Sequence, residues 1–106
     1  MAKYLFTGSY TVEGARGLLA EGGSRRRDAV DKLAASVGGT VESFHLAFGS
    51  DDFFIITDLP GNAAAAALAL TVSATGAVNV RTVVLMTPAD LDAATKLSPT
   101  YRAPGR

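Results

Sequence analysis

The chain has 106 residues, the length of one domain with one modest hydrophobic core. Ten lysines and arginines balance ten aspartates and glutamates, so no net charge attracts nucleic acid or an anionic membrane, and we expect neither as a partner. Cysteine is absent, which excludes disulfides, thiolate metal sites and a cysteine nucleophile.

The first predicted element is a β-strand over Lys3–Tyr10. Its aromatic residues alternate with period two, which places Tyr4, Phe6 and Tyr10 on one side of the strand. Gly8 lies within it, and a glycine inside a strand indicates a bulge or a close approach by another backbone or a ligand.

A broken helical segment follows the first strand. Thr11 can cap a short helix that Gly22-Gly23 interrupts, and Ser24 can cap a second helix that Gly38-Gly39 ends. The second helix has apolar residues at helical spacing, namely Val30, Leu33, Ala34 and Val37.

Thr40–Leu59 is predicted as two adjacent strands joined by a turn at Gly49-Ser50-Asp51-Asp52. Simple alternation places Val41, Ser43, His45 and Ala47 on one face of the first strand and Glu42, Phe44, Leu46 and Phe48 on the other. The second strand is apolar on both faces at its centre. A sheet covered by helices on one side only is normally polar on the other side, so this second apolar face needs a cover.

The remaining segments predict one more helix, one more strand and a final helix. Asn62 is a plausible N-cap for a helix over residues 63–74, and Ala77–Met86 alternates as a strand. Thr87-Pro88-Ala89-Asp90 is a strong helix start, and that helix reaches about Leu97. We therefore expect one domain over residues 1–97 and an extended arm over residues 98–106.

The order of these elements predicts an α+β fold of the ferredoxin-like βαββαβ type with a four-stranded antiparallel sheet. Right-handed crossovers place both main helices on one face of the sheet. The opposite, apolar face would meet a second copy of the chain, so we expect a homodimer or a higher homo-oligomer.

Three segments together resemble the GYD domain family, small bacterial and archaeal proteins of undetermined function: YTVEGARGLLAEGGSRRRDAVDKLAASVGG, SFHLAFGSDDFFIITDLPGNAAAAALAL and GAVNVRTVVLMTPADLDAATKLSPTYRAPG. The family's Gly-x-Tyr-Asp signature corresponds to Gly49, Ser50, Asp51 and Asp52, with Asp51 in the place of the tyrosine. The family is similar to the dimeric α+β barrel proteins. That resemblance implies a sheet-to-sheet dimer, while the barrel proteins include monooxygenases, isomerases, decarboxylases and ligand-binding modules, so fold does not fix function.

The catalytic candidates are His45, Asp52 and Arg81. His45 is the only histidine, and as a general base it would need an orienting group and a cavity; the alternative is a strand residue at the dimer seam. Arg81 lies among valines, so it either pairs with an acid such as Glu42 or Asp52 or lines a polar pocket.

The acidic pair at the turn is a poor acid–base dyad, because adjacent strand residues point to opposite faces. For Asp51 we favour turn chemistry, in which the carboxylate accepts hydrogen bonds from local backbone amides. Asp52 stays a candidate because it matches the signature aspartate of the family that the chain resembles.

The ligand-binding candidates are Tyr4, Tyr10, Arg25, Arg26 and Arg27. The three arginines open a helix, and with the Gly22-Gly23-Ser24 amides they would form an anion site. The alternative is a solvated turn. One histidine without thiols makes a metal site improbable, no dinucleotide, phosphate-loop or nucleophile-elbow motif is present, and we expect no cofactor.

The leading hypothesis for function is a small homo-oligomeric ligand-binding or assembly module. The alternative is a cofactor-free monooxygenase or isomerase of the dimeric α+β barrel kind, acting on a small apolar or aromatic substrate. A third hypothesis is a trimeric regulator that binds an anionic metabolite. The N-terminus lacks the apolar core of a signal peptide and no apolar run is long enough to span a bilayer, so we expect a cytoplasmic location.

Overall fold

The computed structural model describes every residue from Met1 to Arg106. Its strands are β1 (Ala2–Tyr10), β2 (Thr40–Leu46), β3 (Phe53–Leu59) and β4 (Val78–Val84), and its helices are α1 (Val12–Glu21), α2 (Gly23–Ser36), α3 (Asn62–Ala74) and α4 (Pro88–Thr95). The strands form one antiparallel sheet in the order β2-β3-β1-β4. The predicted ferredoxin-like α+β fold is confirmed, with the first crossover divided between α1 and α2.

The hydrophobic core lies on one side of the sheet, under α2 and α3. Strand residues on this side alternate with those on the other, and α3 buries Ala65 and Leu68 against them. We call this side the helix face; its buried residues include Tyr4, Phe6, Phe53 and Ile55. The other side, which we call the open face, carries Leu5, Thr7, Phe54, Ile56, Arg81 and Val83.

Simple alternation was wrong for the start of β2. The pairing with β3 shifts register between Val41 and Ser43, where one extra residue forms a bulge. Val41 therefore pairs with Thr57 and packs against the core, while Glu42 bonds to Lys3 on the open face. Beyond the bulge the prediction holds, and Ser43 and His45 lie on the open face.

Two of the four predicted helix caps are correct. Thr11 accepts a hydrogen bond from the amide of Gly14, and Thr87 forms a complete capping box with Asp90. Ser24 is not a cap, because α2 begins one residue earlier and Gly22, at φ 81°, takes the cap position.

Asn62 is also inside its helix rather than at the cap, which Gly61 occupies. Its side chain accepts a hydrogen bond from the Tyr4 hydroxyl, with 2.6 Å between the oxygens. The asparagine therefore fastens the start of α3 to β1, a tertiary contact that the local sequence does not reveal.

The C-terminal part of the chain extends away from the sheet. No residue of α4 is buried, and residues 98–106 form neither helix nor strand. The radius of gyration is 16.9 Å, against about 13 Å for a compact domain of this length. None of the four helices has the length and apolar composition required to cross a membrane.

Candidate functional site

A cavity of about 70 Å³ lies between the helix face of the sheet and helices α2 and α3. At roughly 10–15 Å³ for each water-sized group, it has room for about five such groups. Fifteen residues line it, and all but Arg26 and Thr57 are apolar: Phe6, Tyr10, Arg26, Val30, Leu33, Ala34, Phe44, Phe53, Ile55, Thr57, Leu68, Ala69, Val72, Val78 and Val80. An apolar cavity with few polar groups is the usual form of a small-molecule site.

Tyr10 and Arg26 lie at the edge of this cavity. Both residues also line a second, more polar groove of about 190 Å³ between α1 and the start of β4, so they separate the two spaces. The Tyr10 ring packs on Phe53 with 5.6 Å between ring centroids. Burial raises the pKa of Tyr10, the positive charge of Arg26 lowers it, and the negative charge of Asp52 raises it.

The three consecutive arginines have different surroundings. Arg25 is exposed, Arg26 is half-buried at the cavity, and Arg27 forms an ion pair with Asp31 at 3.1 Å. The Arg27 guanidinium also lies 5.9 Å from the centre of the Phe44 ring. The structure thus directs one of the three candidates, Arg26, to the cavity.

Arg26 could have been distinguished from Arg25 in the sequence. It lies four residues before Val30 and seven before Leu33, which is the spacing of the apolar face of α2. Arg25 lies outside this face, whereas Arg27, three residues before Val30 and seven before Ala34, fits it as well as Arg26 does. The other lining residues carry no separate sequence signal, because a cavity depends on how α3 sits relative to the sheet.

Of the two tyrosine candidates, Tyr4 has a structural role. It is 2% exposed and its hydroxyl is bonded to Asn62. Tyr10 is therefore the ligand-binding candidate among the tyrosines whose ring reaches the cavity.

The catalytic candidates do not converge. His45 and Arg81 share one row of the open face, with Phe54 and Thr7 between them. They stand on the two edge strands, three steps of about 4.8 Å or about 14 Å apart. Both lie on the opposite side of the sheet from the cavity.

Arg81 pairs with Asp51, not with Glu42 or Asp52 as the sequence suggested. Asp51 also accepts a hydrogen bond from the Thr7 hydroxyl at 2.8 Å. The Asp51 carboxylate therefore contacts side chains across the open face. The predicted hydrogen bonds from local backbone amides of the turn are not formed.

Glu42 instead forms an ion pair with Lys3, with 2.5 Å between the Lys3 Nζ and the carboxylate oxygen. The same Nζ lies 2.9 Å from a carboxylate oxygen of Asp58. The hydrogen bond that Lys3 donates to Glu42, and to a smaller extent the one to Asp58, raises the pKa of Lys3. No group of three or more His, Asp or Glu side chains converges in a way that could hold a metal ion.

Asp52 connects the turn after β2 to the end of β1. Its amide donates to the Gly8 carbonyl at 2.7 Å, its carbonyl accepts from Ala47 at 2.8 Å, and its carboxylate accepts from the Tyr10 amide at 2.9 Å. Two of these bonds use the backbone of Asp52 and one uses its carboxylate, which gives Asp52 a structural role at the turn.

Comparison with known proteins agrees with the resemblance in the sequence. The model of the GYD domain family matches residues 4–95. The chain belongs to the GYD domain family. No curated protein and no solved structure matches it. In this member of the GYD domain family, the residues that correspond to the signature lie at the β2–β3 turn, where Asp52 fastens the turn to β1.

Proposed function

We propose that this GYD domain protein is a homo-oligomeric binding module that takes a small apolar molecule into the cavity between the sheet and helices α2 and α3. The cavity itself carries the proposal: it lies between the helix face and the helices that cover it, it is open on one side, and its lining is almost entirely apolar. The apolar side chains that line this open space lack packing partners on one side. A ligand that fills it therefore stabilises the fold.

Calorimetric titration with benzyl alcohol tests this proposal. Its ring can enter the apolar space from the open side, so we expect saturable binding with a negative heat-capacity change, the mark of apolar burial. Ala69→Phe is the control, because it places a ring in the same space from within α3. Binding by wild type and none by Ala69→Phe supports the proposal, and no binding by wild type overturns it.

Self-association through the open face is the second part of the proposal, with a second copy of the chain as the partner. Leu5, Phe54, Ile56 and Val83 form the apolar centre of this face, and Phe54 and Val83 are 42% and 43% exposed. Lys3 with its two acids lies on one side of this centre, and Arg81 with Asp51 lies on the other. Charges that are already paired leave little repulsion between two copies related by a two-fold axis.

The enzyme alternative, a cofactor-free monooxygenase or isomerase, has less support. It requires His45 to face the substrate cavity, and His45 lies across the sheet from it. A cytoplasmic location stays part of the proposal, as expected from the sequence.

A further inference from the structure

We infer that the ligand of this cavity is a small apolar carboxylic acid, whose ring or chain fills the cavity and whose carboxylate binds the Arg26 guanidinium. The inference rests on the proposed function, because it names the chemical class of the molecule that the cavity takes. It adds a polar end to a site that is otherwise apolar.

Arg26 is unusual among the ten cationic side chains of the chain. Of those that are partly buried, Lys3 has Glu42 and Asp58 as partners and Arg27 has Asp31, whereas Arg26 has no carboxylate within 4.0 Å. Removing a charge from water is costly unless an opposite charge replaces the lost hydration. A bound anion would supply that partner.

The position of Arg26 on α2 makes the arrangement specific. Its helical spacing from Val30 and Leu33 directs the side chain toward the apolar lining and away from open solvent. A guanidinium presents parallel N–H donors that match a carboxylate in a bidentate pair. The ligand would therefore enter with its apolar end first.

Tyr10 provides a second polar group beside Arg26. Burial raises its pKa, so the phenol keeps its proton at neutral pH and can act as a donor. Three carboxylates also lie nearby. Asp52 accepts a hydrogen bond from the Tyr10 amide, and Glu13 and Glu21 line the neighbouring groove, but none of the three lies within 4.0 Å of the Arg26 guanidinium.

The size of the cavity limits the acid. Room for about five water-sized groups corresponds to a short branched chain or to part of one small ring, with the rest of the ring and the carboxylate at the open side. Benzoate is a suitable probe, because the open side of the cavity leaves room for the part of the ring that the enclosed space does not hold. Benzamide has nearly the same shape without the charge, which makes the two molecules a matched pair of probes.

The test is calorimetric titration of benzoate and benzamide into wild type, Arg26→Gln and Arg25→Gln. We expect wild type to bind benzoate more tightly than benzamide. Arg26→Gln should weaken benzoate binding by about tenfold or more, as expected for loss of a charge-assisted pair, and should change benzamide binding by less than about twofold. Arg25→Gln, which alters the exposed neighbour, should change neither by more than about twofold.

The two proposals fail in different ways. If benzamide binds as tightly as benzoate and Arg26→Gln changes the affinity for neither molecule, the carboxylate inference is overturned while the cavity remains a binding site. If neither molecule binds wild type, the proposed function and the inference are both overturned. Circular dichroism of Arg26→Gln verifies that the variant folds, and Arg26→Lys, which keeps the charge without the planar fork, should retain part of the preference for benzoate.

Discussion

Asp51 and Asp52 are neighbours in the sequence with opposite surroundings. Asp51 lies on the open face with Thr7 and Arg81, whereas Asp52 bonds to the backbone of β1 at Tyr10. Their opposite directions agree with the alternation expected of adjacent residues in extended chain. The alternation was predictable, but the partners were not, because each comes from a strand distant in the sequence.

Replacing Asp52 should destabilise the fold. Asp52→Ala removes a charged acceptor from the Tyr10 amide, which should lower the free energy of unfolding by about 1.5–3 kcal/mol. Asp52→Asn keeps an acceptor oxygen and should lower it by less. Urea denaturation followed by circular dichroism gives both values, and equal stability of wild type and Asp52→Ala would contradict the structural role.

Tyr10 should make stability depend on pH in alkaline solution. Burial raises its pKa above the ordinary 10.0 in the folded state, so below pH 10 the phenol is protonated in both states and its contribution is complete. As the pH rises past 10, the unfolded chain loses the proton first, and stability falls until the folded-state pKa is passed. Tyr10→Phe should therefore lose less stability than wild type between pH 9 and pH 11. Equal losses in urea denaturation would place Tyr10 in open solvent.

At the scale of the element, much of the architecture follows from the sequence. The strand and helix order, the break at Gly22-Gly23 and the capping box at Thr87 all have local signals, and each is confirmed. The bulge in β2 has no such signal, because one extra residue leaves the apolar pattern looking regular. Asn62 resembles a cap until the hydroxyl of Tyr4, 58 residues away, is seen to bond to it.

Gly8 illustrates a sequence signal with a clear structural cause. A Cβ at Gly8 would lie 1.8 Å from the backbone oxygen of Asn79, so the predicted close approach of another backbone is confirmed. Gly8→Ala should push β1 and β4 apart and lower the free energy of unfolding by about 1–3 kcal/mol.

Gly17 is the matched control for that change. It lies within α1 and a Cβ there would meet no atom within 4 Å. Gly17→Ala should raise stability by roughly 0.5–1 kcal/mol, because alanine is the better helix former. Thermal denaturation of the two variants should therefore give shifts of opposite sign, and a tolerated Gly8→Ala would contradict the tight β1–β4 approach.

At the scale of the whole molecule, exposed apolar groups are the main departure from a self-sufficient monomer. They include Phe54 and Val83 on the open face and Leu97 in the C-terminal part, and others lie on α1 and α3, at Leu19 and Leu70. On the open face, Phe54 and Val83 flank Leu5 and Ile56 in one apolar patch, and such a patch commonly marks an interface between proteins.

Light scattering tests the predicted self-association. Wild type should give at least twice the chain mass of 10.9 kDa. Phe54→Glu places a charge in the centre of the open face and should shift the mass toward that of one chain. Leu70→Glu, at an exposed position on α3, should leave the mass unchanged. A wild-type mass of 10.9 kDa would contradict the open face as an interface between copies.

The central claim is that the cavity binds an apolar molecule, and methyl NMR during titration with benzyl alcohol tests it most directly. The account predicts saturable shifts for the methyl groups of Val30, Leu33, Leu68 and Val72, which line the cavity, and little change for Val83 on the open face. Ala69→Phe should abolish the shifts. If the chemical shifts of the cavity methyl groups stay constant while those of the open face change, binding in the cavity is contradicted.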